Sequence, residues 1–189
     1  MIRKKYIHFL PNALTALRIA LTPICIYCLY SSDFILALIL FLIASLTDFF
    51  DGYFARKYNT ISKIGIFLDP LADKILVIGL FLSFFYLGII IDWIILSMII
   101  FRDIFVTILR ILIQSKGMTM LTSKIAKLKT AIQFIIIVIL FIQEILPITF
   151  NRDIVYYISL IMGIFTFYTG LHYFLGNLSQ LKLAFKNEQ

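Results

Sequence analysis

Six apolar stretches, each close to the length that crosses a bilayer, divide this chain. They run from about Leu14 to Tyr30, Phe34 to Phe54, Ile66 to Ile90, Trp93 to Ile113, Thr130 to Leu146 and Ile154 to Phe174, and the polar punctuation between them is too short to separate domains. About 20 apolar residues wound as a helix span the hydrocarbon. The expected fold is therefore all-α: a polytopic membrane protein with a six-transmembrane-helix bundle, residues 1–189 forming a single membrane domain. Only 14% of the 189 residues are charged, against about 25% in a soluble domain. The basic cluster Arg3, Lys4, Lys5 leads into the first stretch with no small-residue cleavage site behind it, so that stretch is expected to remain as a helix.

Short loops rich in Lys and Arg are retained in the cytoplasm. The N-terminus, the turn with Arg56, Lys57 and Lys63, the loop with Lys116, Lys124, Lys127 and Lys129, and the tail with Lys182 and Lys186 all fall on one side. The opposite loops, Ser31 to Asp33, Gly88 to Asp92 and Glu144 to Asp153, hold Arg152 as their one basic residue. Both termini are thus expected in the cytoplasm. The formal charge of +7 reads as topology and as attraction to anionic membrane lipids. It does not read as nucleic-acid binding, because no soluble basic face exists to carry it. Cys25 and Cys28 form a C-x-x-C inside the first stretch, but with no further Cys and no His nearby they read as small apolar residues of a helix. His8 and His172 are solitary and receive no role, and Lys182 to Gln189 reads as a short polar tail.

Of the ten acidic residues, Asp33, Asp92, Glu144, Asp153 and Glu188 lie in loops or the tail, where acids are harmless. The other five, Asp48, Asp51, Asp69, Asp73 and Asp103, lie near or within apolar stretches, where an ionisable group costs several kcal/mol unless it is paired or faces water. Asp48, Asp51, Gly52 and Ala55 share one stripe of the second helix, and Gly65, Asp69 and Asp73 one stripe of the third. The polar run Lys57-Tyr58-Asn59-Thr60 between them predicts a turn that brings the four carboxylates face to face. Pro70 predicts a kink near the start of the third helix.

Four clustered carboxylates cannot all stay ionised in a low dielectric without compensation. Hard oxygen ligands in this number suit Mg²⁺ or Mn²⁺, with a substrate phosphate completing the shell. Gly52, Ala55 and Gly65 leave room for a bulky ligand, and Arg56 supplies a fixed charge for phosphate. The competing account is small-residue helix packing beside interfacial acids.

These residues carry a resemblance to the CDP-alcohol phosphatidyltransferase family, whose signature is D-x-x-D-G-x-x-A-R, eight residues, then G-x-x-x-D-x-x-x-D. Asp48, Asp51, Gly52, Ala55, Arg56, Gly65, Asp69 and Asp73 match it in residue type and spacing. The resemblance implies a six-helix membrane enzyme, commonly a homodimer, in which an alcohol attacks the β-phosphate of CDP-diacylglycerol and CMP is released. It further implies that Asp48, Asp51, Asp69 and Asp73 hold two divalent metal ions, Mg²⁺ or Mn²⁺, and that Asp73 also takes the acceptor's hydroxyl proton. Gly52, Ala55 and Arg56 would cradle the cytidine diphosphate with Gly65 opposite. The stretch LPNALTALRIALTP resembles the start of the family's first helix and adds Asn12 and Thr15 to the donor side.

FRDIFVTILR and SKIAKLKTAIQ resemble the phosphatidylglycerophosphate synthase branch, with Ala126 standing where that branch usually has Gly. That branch implies sn-glycerol 3-phosphate as acceptor, its phosphate met by Arg110, Lys127 and Lys129. Positive-inside topology accounts for each of those three cations equally well. Arg102 and Asp103, in the middle of the fourth stretch, fit either an internal ion pair or a part in the chemistry. Phosphatidylglycerol as acceptor, giving a cardiolipin synthase, is the second enzymatic expectation. An ion-coupled transporter is the non-enzymatic one, and it would spread its acids through the depth of several helices rather than gather them at one edge.

Overall fold

The structure is a computed structural model that describes residues 10–58, 63–89, 92–115, 124–146 and 152–186; the side chains of 10–12, 48–58, 63–70, 114, 124, 126, 152 and 183–186 lie outside the description. All regular structure among the described residues is helical: α1 Leu10–Tyr30, α2 Phe34–Tyr58, α3 Lys63–Tyr86, α4 Trp93–Ser115, α5 Lys124–Ile145, α6 Arg152–Gly176 and α7 Leu178–Lys186. Three of them, α1 over Ala13–Tyr30, α5 over Lys127–Ile145 and α6 over Asp153–Gly176, are long and apolar enough to cross a membrane, and α2 has a shorter apolar run over Phe34–Thr47. In α4 the charges of Arg102, Asp103 and Arg110 interrupt the apolar sequence.

Helix α3 begins seven residues before Pro70, so the proline does not start it. The expected polar tail is largely helix α7, because Leu181 finds a core to enter: it packs on Leu109 and Ile113 of α4, with Phe105 and Phe174 around them. Asn177 makes the joint between α6 and α7. Its side-chain amide donates to the Tyr173 carbonyl at 2.9 Å, and its carbonyl accepts the Leu181 N–H at 3.0 Å.

The chain divides into two compact units, Met1–Leu87 with Glu144–Leu146, and Gly88–Gln143 with Pro147–Gln189. In the first, α1 packs on α2 and α3. Thr15, Arg18, Thr22, Cys25 and Leu29 recur every three or four residues and form the buried face of α1. Ala37, Phe41, Ala44 and Thr47 do the same on α2. Small residues let the backbones approach closely: the Cys25 thiol donates to the Ala37 carbonyl at 3.2 Å. Pro23 sits inside α1, and one residue before it the Thr22 hydroxyl donates back to the Arg18 carbonyl at 2.8 Å, which satisfies the buried hydroxyl within its own helix.

Helix α1 ends in a left-handed cap. Ser32, at φ 60, donates its N–H to the Leu29 carbonyl at 3.1 Å, and Asp33 donates to the Cys28 carbonyl at 2.9 Å, the two bonds of a Schellman motif. Asp33 then starts α2, its carboxylate accepting the Leu36 N–H at 3.2 Å.

In the second unit α4 packs on α6 in parallel register. A Cβ at Gly163 would stand 3.2 Å from Ile95 Cγ2, and one at Gly170 would stand 2.7 Å from Arg102 Cγ. Both contacts carry the same offset in sequence, so two glycines one heptad apart on α6 receive two side chains one heptad apart on α4. Asp92 caps α4 by accepting the Ile94 N–H at 2.8 Å, and its other oxygen accepts the Tyr156 hydroxyl of α6 at 3.4 Å.

Candidate functional site

The three-residue turn at Ser31–Asp33 makes α2 run back along α1. The contacts of Ile26 with Gly79 and of Tyr30 with Tyr86, ring centroids 5.6 Å apart, make α3 run parallel to α1. Counting back along each helix from these contacts and from Cys25–Ala37 brings Thr15, Asp48 and Asp69 to about the same height, within about one turn. The two halves of the aspartate pattern, carried by the last turns of α2 and the first turns of α3, therefore lie at the same end of the first unit as the start of α1.

Thr15 is buried at that end, as is Arg18, which is 0% exposed. Asp73 is partly buried and its Oδ2 accepts the Lys74 ammonium at 2.9 Å. The side chains of Asn12, Asp48, Asp51, Gly52, Ala55, Arg56, Gly65 and Asp69 lie outside the described residues. Among the described residues no group of three His, Cys, Asp or Glu is disposed to hold a metal. Asp73 is the one described member of the expected ligand set, and a carboxylate of this kind suits a hard divalent cation.

The second unit holds a buried charge cluster. Asp103 is 0% exposed, and its Oδ1 accepts from Arg102 Nη1 at 3.0 Å and from Lys129 Nζ of α5. Its Oδ2 accepts from Gln133 Nε2 at 3.3 Å. Lys129, Gln133, Ile136 and Leu140 share the buried face of α5. A carboxylate taken out of water is tolerable when charged and neutral donors occupy both its oxygens, and here three side chains from two helices do so.

Along α4 the cluster's height is the one expected from the sequence. Arg102 and Asp103 are central in α4, yet Lys129 is on the second turn of α5, and Arg102 meets Gly170, fewer than two turns from the end of α6. The pair is therefore mid-helix in α4 but close to the ends of α5 and α6, because α4 continues past them to meet α7. It is an ion pair reaching across to α5, the first of the two alternatives open in the sequence.

The three expected acceptor cations are not equivalent. Lys129 is buried, Arg110 is half-buried and Lys127 is exposed. Arg18 belongs to the LPNALTALRIALTP stretch that carries the resemblance but receives no role from the sequence, although an arginine inside an apolar helix carries the same signal that singles out Arg102. Sequence reading missed Lys74, adjacent to Asp73.

Helices of bilayer length, polar groups sunk among them and the aspartate signature across α2 and α3 define a class. The chain belongs to the CDP-alcohol phosphatidyltransferase family, whose family model matches residues 8–167. Among its relatives, a protein of Rickettsia felis is 37% identical over 169 residues, 87% of this chain and 93% of its own length. One of Bacillus subtilis is 34% identical over 194 aligned positions, 93% and 98% of the two chains. A third, of Cereibacter sphaeroides, is 42% identical over 141 residues, 70% of this chain, which spans 63% of that relative's length. All three bear the name CDP-diacylglycerol--glycerol-3-phosphate 3-phosphatidyltransferase.

Proposed function

We propose that the protein transfers the phosphatidyl group of CDP-diacylglycerol to sn-glycerol 3-phosphate, giving phosphatidylglycerol phosphate and CMP. The observation that carries this reading is the unbroken signature Asp48, Asp51, Gly52, Ala55, Arg56, Gly65, Asp69, Asp73, in a chain whose relatives bear that reaction's name over most of its length.

Asp48, Asp51, Asp69 and Asp73 hold two divalent ions, Mg²⁺ or Mn²⁺, as the family generally requires. When bound, these supply positive charge against the pyrophosphate of the donor. Gly52, Ala55 and Gly65 make room for the cytidine diphosphate, Arg56 pairs with its phosphate, and Asn12 and Thr15 complete the donor side from α1. Asp73 accepts the proton of the acceptor hydroxyl while that oxygen bonds to the β-phosphorus. The bond from this phosphorus to the oxygen shared with CMP breaks, and the electron pair leaves with CMP. Arg110, Lys127 and Lys129 receive the acceptor's phosphate. The whole chain acts as one membrane domain with six spans, both termini and the site facing the cytoplasm, as a homodimer in the bacterial cell membrane.

The test is CMP release from CDP-diacylglycerol by the purified, detergent-solubilised protein, with sn-glycerol 3-phosphate, phosphatidylglycerol, inositol 1-phosphate and serine offered separately. The fastest release is expected with sn-glycerol 3-phosphate. Preference for phosphatidylglycerol would make the protein a cardiolipin synthase, and ion flux in proteoliposomes with no CMP under any acceptor would remove the enzymatic reading.

A further inference from the structure

Two lysines two residues apart on α5 have opposite surroundings: Lys127 is exposed, whereas Lys129 is 1% exposed and bonded to Asp103. A lysine retained only to set topology gains nothing from being sunk against a buried carboxylate, since its charge is cheapest in water. We propose that Asp103 is a positioning residue for the acceptor, fixing the Lys129 ammonium where it receives the acceptor's phosphate. This rests on the reading of Lys129 as an acceptor-site cation.

The physical need is plain. An ammonium is a point charge on a flexible four-carbon stem, and ordering that stem costs rotamer entropy. If the substrate had to order it, that cost would come out of acceptor affinity; a protein carboxylate that orders it beforehand removes the cost. Asp103 is equipped for this because it is itself fixed on both oxygens. Arg102 Nη1 holds Oδ1 at 3.0 Å and Gln133 Nε2 holds Oδ2 at 3.3 Å. Gln133 lies one turn beyond Lys129 on α5, so the carboxylate reads the position of that helix at two points. Gly170 on α6 leaves the space in which the Arg102 stem lies.

A mere counter-ion makes the opposite prediction. Removing a negative charge beside a cation strengthens the cation's pull on an anion, so acceptor binding would improve or stay unchanged. The experiment measures KM for sn-glycerol 3-phosphate and for CDP-diacylglycerol in wild type, Asp103→Asn, Asp103→Glu, Lys129→Met and the double variant Asp103→Asn with Lys129→Met. Asp103→Asn is expected to raise the acceptor KM about tenfold, with kcat and the donor KM within about twofold. Asp103→Glu should recover part of the loss, and the double variant should be no worse than Lys129→Met alone, because the two residues act as a unit. An acceptor KM that is unchanged or lower in Asp103→Asn, or losses that multiply in the double variant, would overturn the inference. Should Asp103→Asn not fold, Gln133→Met carries the test: it loosens Oδ2 without unpairing a charge, a raised acceptor KM supports positioning and an unchanged one refutes it. Wild type that turns over phosphatidylglycerol but not sn-glycerol 3-phosphate refutes the acceptor reading itself, and is recognised before any variant is made.

Discussion

Gly170 of α6 and Arg102 of α4 are matched as notch and filler: a Cβ on the glycine would stand 2.7 Å from the arginine's Cγ and 3.6 Å from its Cβ. The atom in the way is near the root of the side chain, so it cannot swing clear without moving the guanidinium that bonds Asp103 at 3.0 Å. Gly170→Ala is therefore expected to destabilise by about 1–3 kcal/mol, the usual cost of overpacking. Gly163→Ala, whose nearest atom would be Ile95 Cγ2 at 3.2 Å, should cost less. Thermal melts of the two variants in the same detergent check the order, and equal melting temperatures would show that the arginine yields freely.

At the α1–α2 turn two neighbouring substitutions should act in opposite directions. Ser32 sits at φ 60, where a side chain costs about 1 kcal/mol or more, so Ser32→Gly should stabilise by a fraction of that, reduced by the freedom glycine gains on unfolding. Asp33→Ala removes the carboxylate that accepts the Leu36 N–H at 3.2 Å and should destabilise by about 1 kcal/mol. Denaturant or thermal unfolding reads both signs, and a destabilised Ser32→Gly would contradict the account of the cap.

The features written in local spacing were legible, and those that depend on where a helix stops were not. Six apolar stretches fall on helices α1 to α6, because an apolar run of this length has few alternatives. The third stretch reads on to Ile90 in the sequence, whereas α3 ends at Tyr86 and Gly88 takes φ 72. The tail expected over Lys182 to Gln189 begins inside helix α7, because a run with lysines looks like solvent until Leu181, one residue before it, is seen against Leu109 and Ile113. Asp33 and Asp92 read in the sequence as harmless loop acids, yet each caps a helix; the local signal is a carboxylate just before an apolar run. No spacing rule separates Lys127 from Lys129, since their difference comes from the phase of α5 against α4.

Asp73 is the aspartate whose loss should act on turnover more than on binding. Asp73→Asn is expected to reduce kcat at least a hundredfold while donor binding survives in part, because a proton acceptor is needed chiefly in the transition state. Asp48→Asn should weaken metal-dependent donor binding as well. Binding of CDP-diacylglycerol measured alongside CMP release separates the two, and wild-type turnover in either variant would sink the assignment.

Metal removal gives a coarser expectation. Chelation should abolish CMP release, and adding back Mg²⁺ or Mn²⁺ should restore it, because four carboxylates brought together as the signature implies would repel one another without compensating charge. Full activity in excess chelator would leave the aspartates in need of another explanation.

Lys127 and Lys129 offer the sharpest separation of stability from function. Lys127 is exposed, so Lys127→Ala should leave stability within about 0.5 kcal/mol, and any rise in the acceptor KM then reports a substrate contact alone. Lys129→Ala strips one cation from the buried Asp103, and unpairing a buried charge costs about 3–5 kcal/mol; Arg102 and Gln133 remain on the carboxylate, which puts the expectation at the lower end. Melting temperatures and the two KM values, measured on the same preparations, distinguish the outcomes. A large loss of stability in Lys129→Ala with the donor KM unchanged and the acceptor KM raised is the expected pattern. Equal melting temperatures for the two variants would mean that the Lys129–Asp103 bond does not hold α4 to α5.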